Sequence, residues 1–196
     1  IEESVKFGKD VTVYPNVYIK GNTVISDNVT IEMGTFIVDS EIGPGTEILA
    51  NCYIEKSIIG PSVHIGPMAH LRPDSKIGAK CKIGNFVETK KVVLDEGTKV
   101  SHLTYLGDAE IGKNVNVGCG TITCNYDGVK KSKTIVGDNT FVGSDTQLVA
   151  PIKIGKDCYL ASGSTIIEDV PDSSFAIARS RQTTKVGYAE KYKKKS

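Results

Sequence analysis

A six-residue period dominates this chain and restricts its fold more than any other feature. Aliphatic or aromatic residues fall at Ile1, Phe7, Val13, Ile19, Ile25, Ile31 and Ile37, then at Ile42, Ile48, Ile54, Ile59, Ile65, Leu71, Ile77 and Ile83. Gly often follows, as in "IGPGTE", "IGPSVH", "IGAKCK" and "IGKDCY". A small residue commonly comes four places on, at Cys52, Ala69, Cys81, Thr98 and Cys158. In a strand, residues two apart share a face. The small residue and the next aliphatic residue therefore both point inward, and Gly is expected to permit the turn between strands. Three such hexads close one triangular coil. Coils stacked at roughly 4.8 Å enclose a ladder of aliphatic side chains, the hexapeptide signature of a parallel β-helix.

The repeat resembles that of the left-handed β-helix of hexapeptide acyltransferases. The expected fold is all-β: a left-handed parallel β-helix of about nine to ten triangular coils, with one inserted loop and a C-terminal extension. If Ile1 is corner A, Phe7 corner B and Val13 corner C, the A column runs Ile1, Ile19, Ile37, Ile54, Leu71, Thr89, Leu106, Thr123, Leu148 and Ile166. Four A hexads are one residue short ("IVDSE", "IEKSI", "TKKVV", "LGDAE"), and the one opening at Thr123 runs 13 residues before Val136 restores the pattern. Corner A thus absorbs every irregularity. The stretch "CNYDGVKKSKT", 124–134, should leave the prism there as a loop, a usual site of binding on a solenoid. Residues 1–170 are read as the β-helix domain and 171–196 as the extension, with Pro171 marking departure from the sheet. The final "EKYKKKS" reads as a solvated, mobile end.

Composition narrows the function classes. With 196 residues and 39% hydrophobic content, one folding unit with a continuous core is expected. A formal net charge of +1 gives no global basic field for nucleic acid. The apolar runs are far too short for membrane insertion. Five cysteines without paired spacing suggest neither a disulfide framework nor a zinc ribbon. Glu2, Glu3, Lys6, Lys9 and Asp10 interrupt any signal peptide. A cytoplasmic setting is the expectation. The chain is already in its repeat at residue 1, with no cap, which suggests a fragment.

Two columns of side chains carry the functional reading. Arg72 and Lys90 both follow corner A in adjacent layers, where two cations hold an anion or merely face water. Lys130, Lys131 and Lys133 of the loop add charge, favouring a phosphate over a polyanion in so neutral a chain. Two places after corner C lie Asn85, His102, Cys119, Ser144 and Ser162, all polar or small. Their four layer steps span roughly 19 Å, suited to an extended pantetheine arm with its thioester beside His102. Tight turns explain the small residues as well. His102 has the intrinsic pKa of a proton acceptor near neutrality, and Tyr105 lies on the strand from His102 to corner A. Glu88, one layer from Tyr105, either tunes the charge or balances Lys90. Cys52, Cys81 and Cys158 are expected to be inert core residues, and Cys124 the most reactive thiol.

The segments "HLRPDSKIGAKCKIGNFVETKK", "SHLTYLGDAEIGKNVNVGCGTITCNYDG" and "FVGSDTQLVAPIKIGK" are longer and more specific than the hexad. They resemble the acetyltransferase domain of the bifunctional bacterial N-acetylglucosamine-1-phosphate uridyltransferase / glucosamine-1-phosphate acetyltransferase family, and the resemblance covers essentially the whole chain. It implies acetyl transfer from acetyl-CoA to the amine of glucosamine 1-phosphate, toward UDP-N-acetylglucosamine and cell-wall precursors. It also implies a homotrimer with active sites between subunits. His102 becomes the general base. Arg72, Lys90, Tyr105, Asn116 and Lys131 hold the sugar phosphate. Asn125 and Tyr126 contact substrate or the acetyl group, and Ser144, with the backbone at Cys119 and Ser162, lines the acetyl-CoA path. Arg179 and Lys185 meet the CoA phosphates. The family often has Ala where this chain has Cys119 and Ser162. The uridyltransferase half has no counterpart here, so no uridyl transfer and no metal requirement are expected. The rival readings are a zinc enzyme of the hexapeptide carbonic anhydrase type, using His64, His70 and His102, and a trimeric scaffold without catalysis. A covalent route through Cys119 is the minor mechanistic alternative.

Overall fold

The computed structural model describes residues 1–192; the last four residues of the "EKYKKKS" end lie outside it. It is a left-handed parallel β-helix with 24 strands among the described residues, all but two of them two or three residues long, in one continuous sheet. The three corner columns stack as the hexads require. At corner A, Ile19 pairs in register with Ile37 and Ile37 with Ile54. At corner B, Ile42, Ile59 and Ile77 stack, and at corner C, Ile31, Ile48 and Ile65. All of these side chains are buried, each worth about 1.5–3 kcal/mol in removal of apolar surface from water.

Small hydroxyl residues fill the inward positions between corners and stitch coil to coil. Ser40 N–H donates to Thr23 Oγ1 at 3.3 Å, and Ser57 N–H to Ser40 Oγ at 3.1 Å. Cys52, Cys81 and Cys158 occupy such positions, buried as expected, and burial pushes the Cys52 thiol up to about 11.

The glycines after the aliphatic corners do a different job from the one expected. Gly43, Gly60 and Gly78 do not have positive φ. A Cβ on Gly43 would lie 2.5 Å from the carbonyl carbon of Gly60 in the next coil, so the requirement is close approach of backbones. The left-handed turn residue comes two places later, at Gly45 or Gly97, and in other coils at Asn28 or Asn114, residues whose short polar side chains tolerate that region.

The most continuous pairing lies mid-stack. Strands Lys82–Leu94 and Lys99–Ile111 each carry a residue of all three corners and pair from Lys82↔Lys99 to Leu94↔Ile111. Asn85, Glu88 and Lys90 sit on the first of these strands, and His102 and Tyr105 on the second. The parallel ladder also continues past Val170, which bridges to Ile154, to strand Phe175–Ala176, which pairs with Tyr159–Leu160. Beyond it, residues 179–186 are exposed, and an open cavity of about 490 Å³ lined by Ile166, Val170 and Ala176 remains at this end.

Candidate active site

Asn85 and His102 are cross-coil partners in register, and His102 Nδ1 lies 3.0 Å from Asn85 Oδ1. With the amide oxygen facing the ring, Nδ1 carries the proton and Nε2 presents a lone pair outward. His102 is exposed, and so is Leu103 beside it. Leu103, Phe86 and Met68 occupy the same turn position in successive coils, with φ of 44°, 57° and 56°. Bulky side chains rarely adopt that conformation. They form an exposed apolar ridge next to His102, 59%, 53% and 47% accessible.

The expected cation cluster forms, with a different counter-charge. Glu88 lies opposite Tyr105 in register and accepts from Arg72 Nη1 at 2.8 Å, so it balances Arg72 rather than Lys90. This bond holds the Arg72 guanidinium above its ordinary pKa. Lys90 is shifted the other way, below the ordinary lysine value, chiefly by the Lys131 ammonium and then by Arg72. Arg72, Lys90 and Lys131 thus lie within electrostatic reach of one another, with Glu88 on Arg72 and Asp108 near Lys90 as counter-charges.

Lys131 reaches Lys90 because the insert is ordered. Between strands Ile122–Cys124 and Thr134–Val136 it forms a small hairpin with an antiparallel Tyr126↔Lys131 bridge. Asp127 Oδ1 accepts from the N–H groups of Val129 and Lys130, both at 2.8 Å, closing the turn. Those N–H groups hold the Asp127 carboxyl below the ordinary carboxylate range. Tyr126 Oη donates to Gly128 O at 2.6 Å while its ring stays exposed. Lys133 instead pairs with Glu110. Cys124 ends a strand rather than lying in the loop and is half-buried, and burial raises its thiol.

Above His102 the column continues through Cys119, Ser144 and Ser162. The backbone beside it is nearly bare, with Gly118, Gly120, Gly143 and Gly163 in the flanking positions. Arg179 closes the upper end: its Nη1 donates to Ser162 O at 3.1 Å. Two expected site residues are not gathered by a single chain. Asn116 is exposed on the B-to-C face, between Lys99 and Phe141 in register. Lys185 packs its ammonium 5.1 Å from the Tyr188 ring centroid in the tail.

Gly107 and Asp108 were not singled out as site residues in the sequence, and Thr123 was read only as a corner position. A Cβ at Gly107 would meet Tyr105 Oη at 2.4 Å and Asn125 Nδ2 at 2.8 Å, so its missing side chain makes room for two site residues. The signal available was the shortened hexad "LGDAE" immediately below the insert. His64 faces Glu47 at 3.0 Å and His70 packs edge-on against Tyr53. Among the described residues no group of three His, Cys, Asp or Glu side chains could hold a metal ion.

Comparison with known proteins agrees with this architecture. The GMPPB C-terminal domain model matches residues 1–72, and the bacterial transferase hexapeptide model matches 56–91 and 133–168. The bifunctional protein GlmU of Geotalea uraniireducens is 55% identical over 195 residues, covering 100% of this chain and 42% of that protein. GlmU of Pelobacter propionicus is 52% identical over 196 residues, covering 100% of this chain and 43% of that protein. The chain therefore spans less than half the length of these relatives. An Arabidopsis UDP-N-acetylglucosamine acyltransferase structure shares the fold, with TM-score 0.66 at 16% identity over 87% of this chain and 66% of that one. The chain is a hexapeptide-repeat β-helix that corresponds to the C-terminal part of the bifunctional GlmU proteins.

Proposed function

We propose that this chain is a glucosamine-1-phosphate N-acetyltransferase, moving acetyl from acetyl-CoA to the sugar amine to give N-acetylglucosamine 1-phosphate. The observation that supports the reading is the Asn85-oriented His102 on the same strand as Tyr105 and paired coil to coil with the strand of Lys90, in a chain whose whole length aligns with 42% of a GlmU protein. Arg72, Lys90 and Lys131 hold the phosphate, with Tyr105 beside them, and so place the amine near His102. His102 Nε2 accepts the proton that the amine sheds as it attacks. Acetyl-CoA supplies the activated acyl group. Cys119, Ser144 and Ser162 line its path, Arg179 and Lys185 meet its phosphates, and backbone N–H groups near the insert stabilise the developing oxyanion. Holding both substrates in line supplies much of the acceleration, and the reading invokes no metal.

The working unit in this reading is a homotrimer with sites between subunits. The exposed Met68, Phe86 and Leu103 ridge beside His102 supports it, as does the position of Asn116 on another face, from which it reaches a neighbour's site. The product feeds UDP-N-acetylglucosamine and cell-envelope synthesis in the cytoplasm. No helix among the described residues is long and apolar enough to cross a membrane.

The test is release of CoA thiol from acetyl-CoA on adding glucosamine 1-phosphate, compared with glucosamine and glucosamine 6-phosphate. The 1-phosphate should be strongly preferred. His102→Ala should lower turnover by roughly 10² or more while CoA binding persists. A well-folded wild-type protein that releases no thiol would refute the reading.

A further inference from the structure

Asn125 is the first residue after strand Ile122–Cys124 and only 8% exposed, and its Nδ2 donates to Asp108 Oδ2 in the coil below. The Asp108 corner is itself pinned. Gly107 N–H donates to Thr123 Oγ1 at 2.7 Å, and Thr123 Oγ1 lies 3.0 Å from Gly107 O. Asp108 holds the left-handed conformation, φ 48°, so its carboxylate is carried by a fixed turn. An ionised carboxylate accepts hydrogen bonds and donates none. The atom of Asn125 that faces it must be the nitrogen, which leaves Oδ1 as the amide's acceptor for anything outside the pair.

We propose that Asp108 is a positioning residue that locks the Asn125 amide, so that Asn125 serves the reaction as a hydrogen-bond acceptor through Oδ1. Resting on the acetyl-transfer reading above, the group it accepts from is an N–H of the incoming sugar amine. That bond leaves the nitrogen lone pair aimed elsewhere and steers it toward the acyl carbon. The bond to Asp108 uses one Nδ2 hydrogen and fixes the edge on which Oδ1 is presented, so the amide cannot flip without placing its oxygen against the carboxylate. Asp108 also lies near Lys90 and partly offsets the repulsion there. Removing its charge will therefore alter KM for the sugar phosphate as well, and the test must separate the two effects.

A charge swap does so. Asp108→Asn keeps a residue that tolerates the left-handed turn but lets the facing amide adopt either orientation; kcat should fall about tenfold, with KM for acetyl-CoA changing less than about twofold. Asn125→Asp sets two carboxylates against each other and should lose at least about 100-fold in kcat. In the double variant D108N/N125D, the amide at 108 donates to the carboxylate at 125, whose second oxygen still accepts. Its kcat should recover at least about tenfold over N125D. Thermal melting of each variant as a full chain confirms folding. A folded double variant no better than N125D overturns the acceptor assignment. If N125A is impaired while D108N matches wild type, the positioning role fails but the acetyl-transfer reading stands. If N125A itself transfers acetyl like wild type, Asn125 is outside the reaction centre and the inference falls. A wild-type protein without transfer activity defeats the parent reading instead.

Discussion

Corners A and B of the same prism are built to different rules. Corner B is an unbroken aliphatic column from Ile25 through Ile42, Ile59, Ile77, Leu94, Ile111 and Val136 to Ile154. Corner A begins the same way but turns to Thr89 and Thr123 in the middle coils, and only corner A carries the short hexads and the insert. Those threonines are fully engaged: Thr89 Oγ1 meets Ser75 Oγ at 2.9 Å, and Thr123 grips Gly107. Where the site is built, the corner exchanges apolar burial for hydrogen bonds that fix backbone position. Corner B supplies cohesion, and corner A supplies placement.

Truncating Ile59 to Ala should break the first rule most visibly. It stacks between Ile42 and Ile77, so the cavity should cost about 2–5 kcal/mol in denaturant unfolding, with the chemistry of folded protein little changed. A loss well below that range would mean the column collapses to fill the gap. Thr123→Val tests corner A: it leaves the buried Gly107 N–H without its acceptor, costing about 1–3 kcal/mol. Its activity should fall further than the unfolded fraction explains, since Tyr105 and Asn125 crowd Gly107. Normal turnover in the folded variant would deny the corner a placing role.

Thr134 sharpens the contrast from the other side. Its buried hydroxyl has no partner among the described residues, and its register neighbours, Ala109 and Ile152, are apolar. Thr134→Val should therefore be neutral or stabilising by up to about 1 kcal/mol, read by melting; clear destabilisation would reveal a hidden partner. The smallest effect concerns pH. Because Lys131 and Arg72 depress Lys90, its charge is lost at lower pH than for an ordinary lysine, and KM for the sugar phosphate should turn upward earlier as pH rises. Lys131→Ala relieves that repulsion, raises the Lys90 pKa and moves the upturn to higher pH, whatever it costs in KM overall. An upturn that stays in place would assign it to another group.

The coils were legible in the sequence because each inward position repeats the same demand for an apolar or small side chain. Every corner residue from Ile19 to Ile166 could be placed by counting, and so could the column from Asn85 to Ser162. Counting could not say which side chains reach across coils. Glu88 stands two residues from Lys90 in the chain, and only geometry gives it to Arg72. Gly107 and Asp108 look like a shortened turn until the insert is folded over them. Gly43, Gly60 and Gly78 were misassigned for a related reason: their constraint comes from the backbone one layer away, which a local turn argument does not contain.

The insert between Cys124 and Thr134 also makes this scaffold open to grafting. Strand Ile122–Cys124 stacks on Gln147–Val149 and strand Thr134–Val136 on Ile152–Ile154 on either side of it, so the layer spacing is set without reference to what lies between. The hairpin closes on itself through Asp127 and the Tyr126↔Lys131 bridge. It is a cassette on a socket of fixed dimensions, tied to the coil below through Asn125–Asp108 and Lys133–Glu110. Exchanging it would change what the groove recognises while leaving the prism's folding instructions, written at corners B and C, untouched.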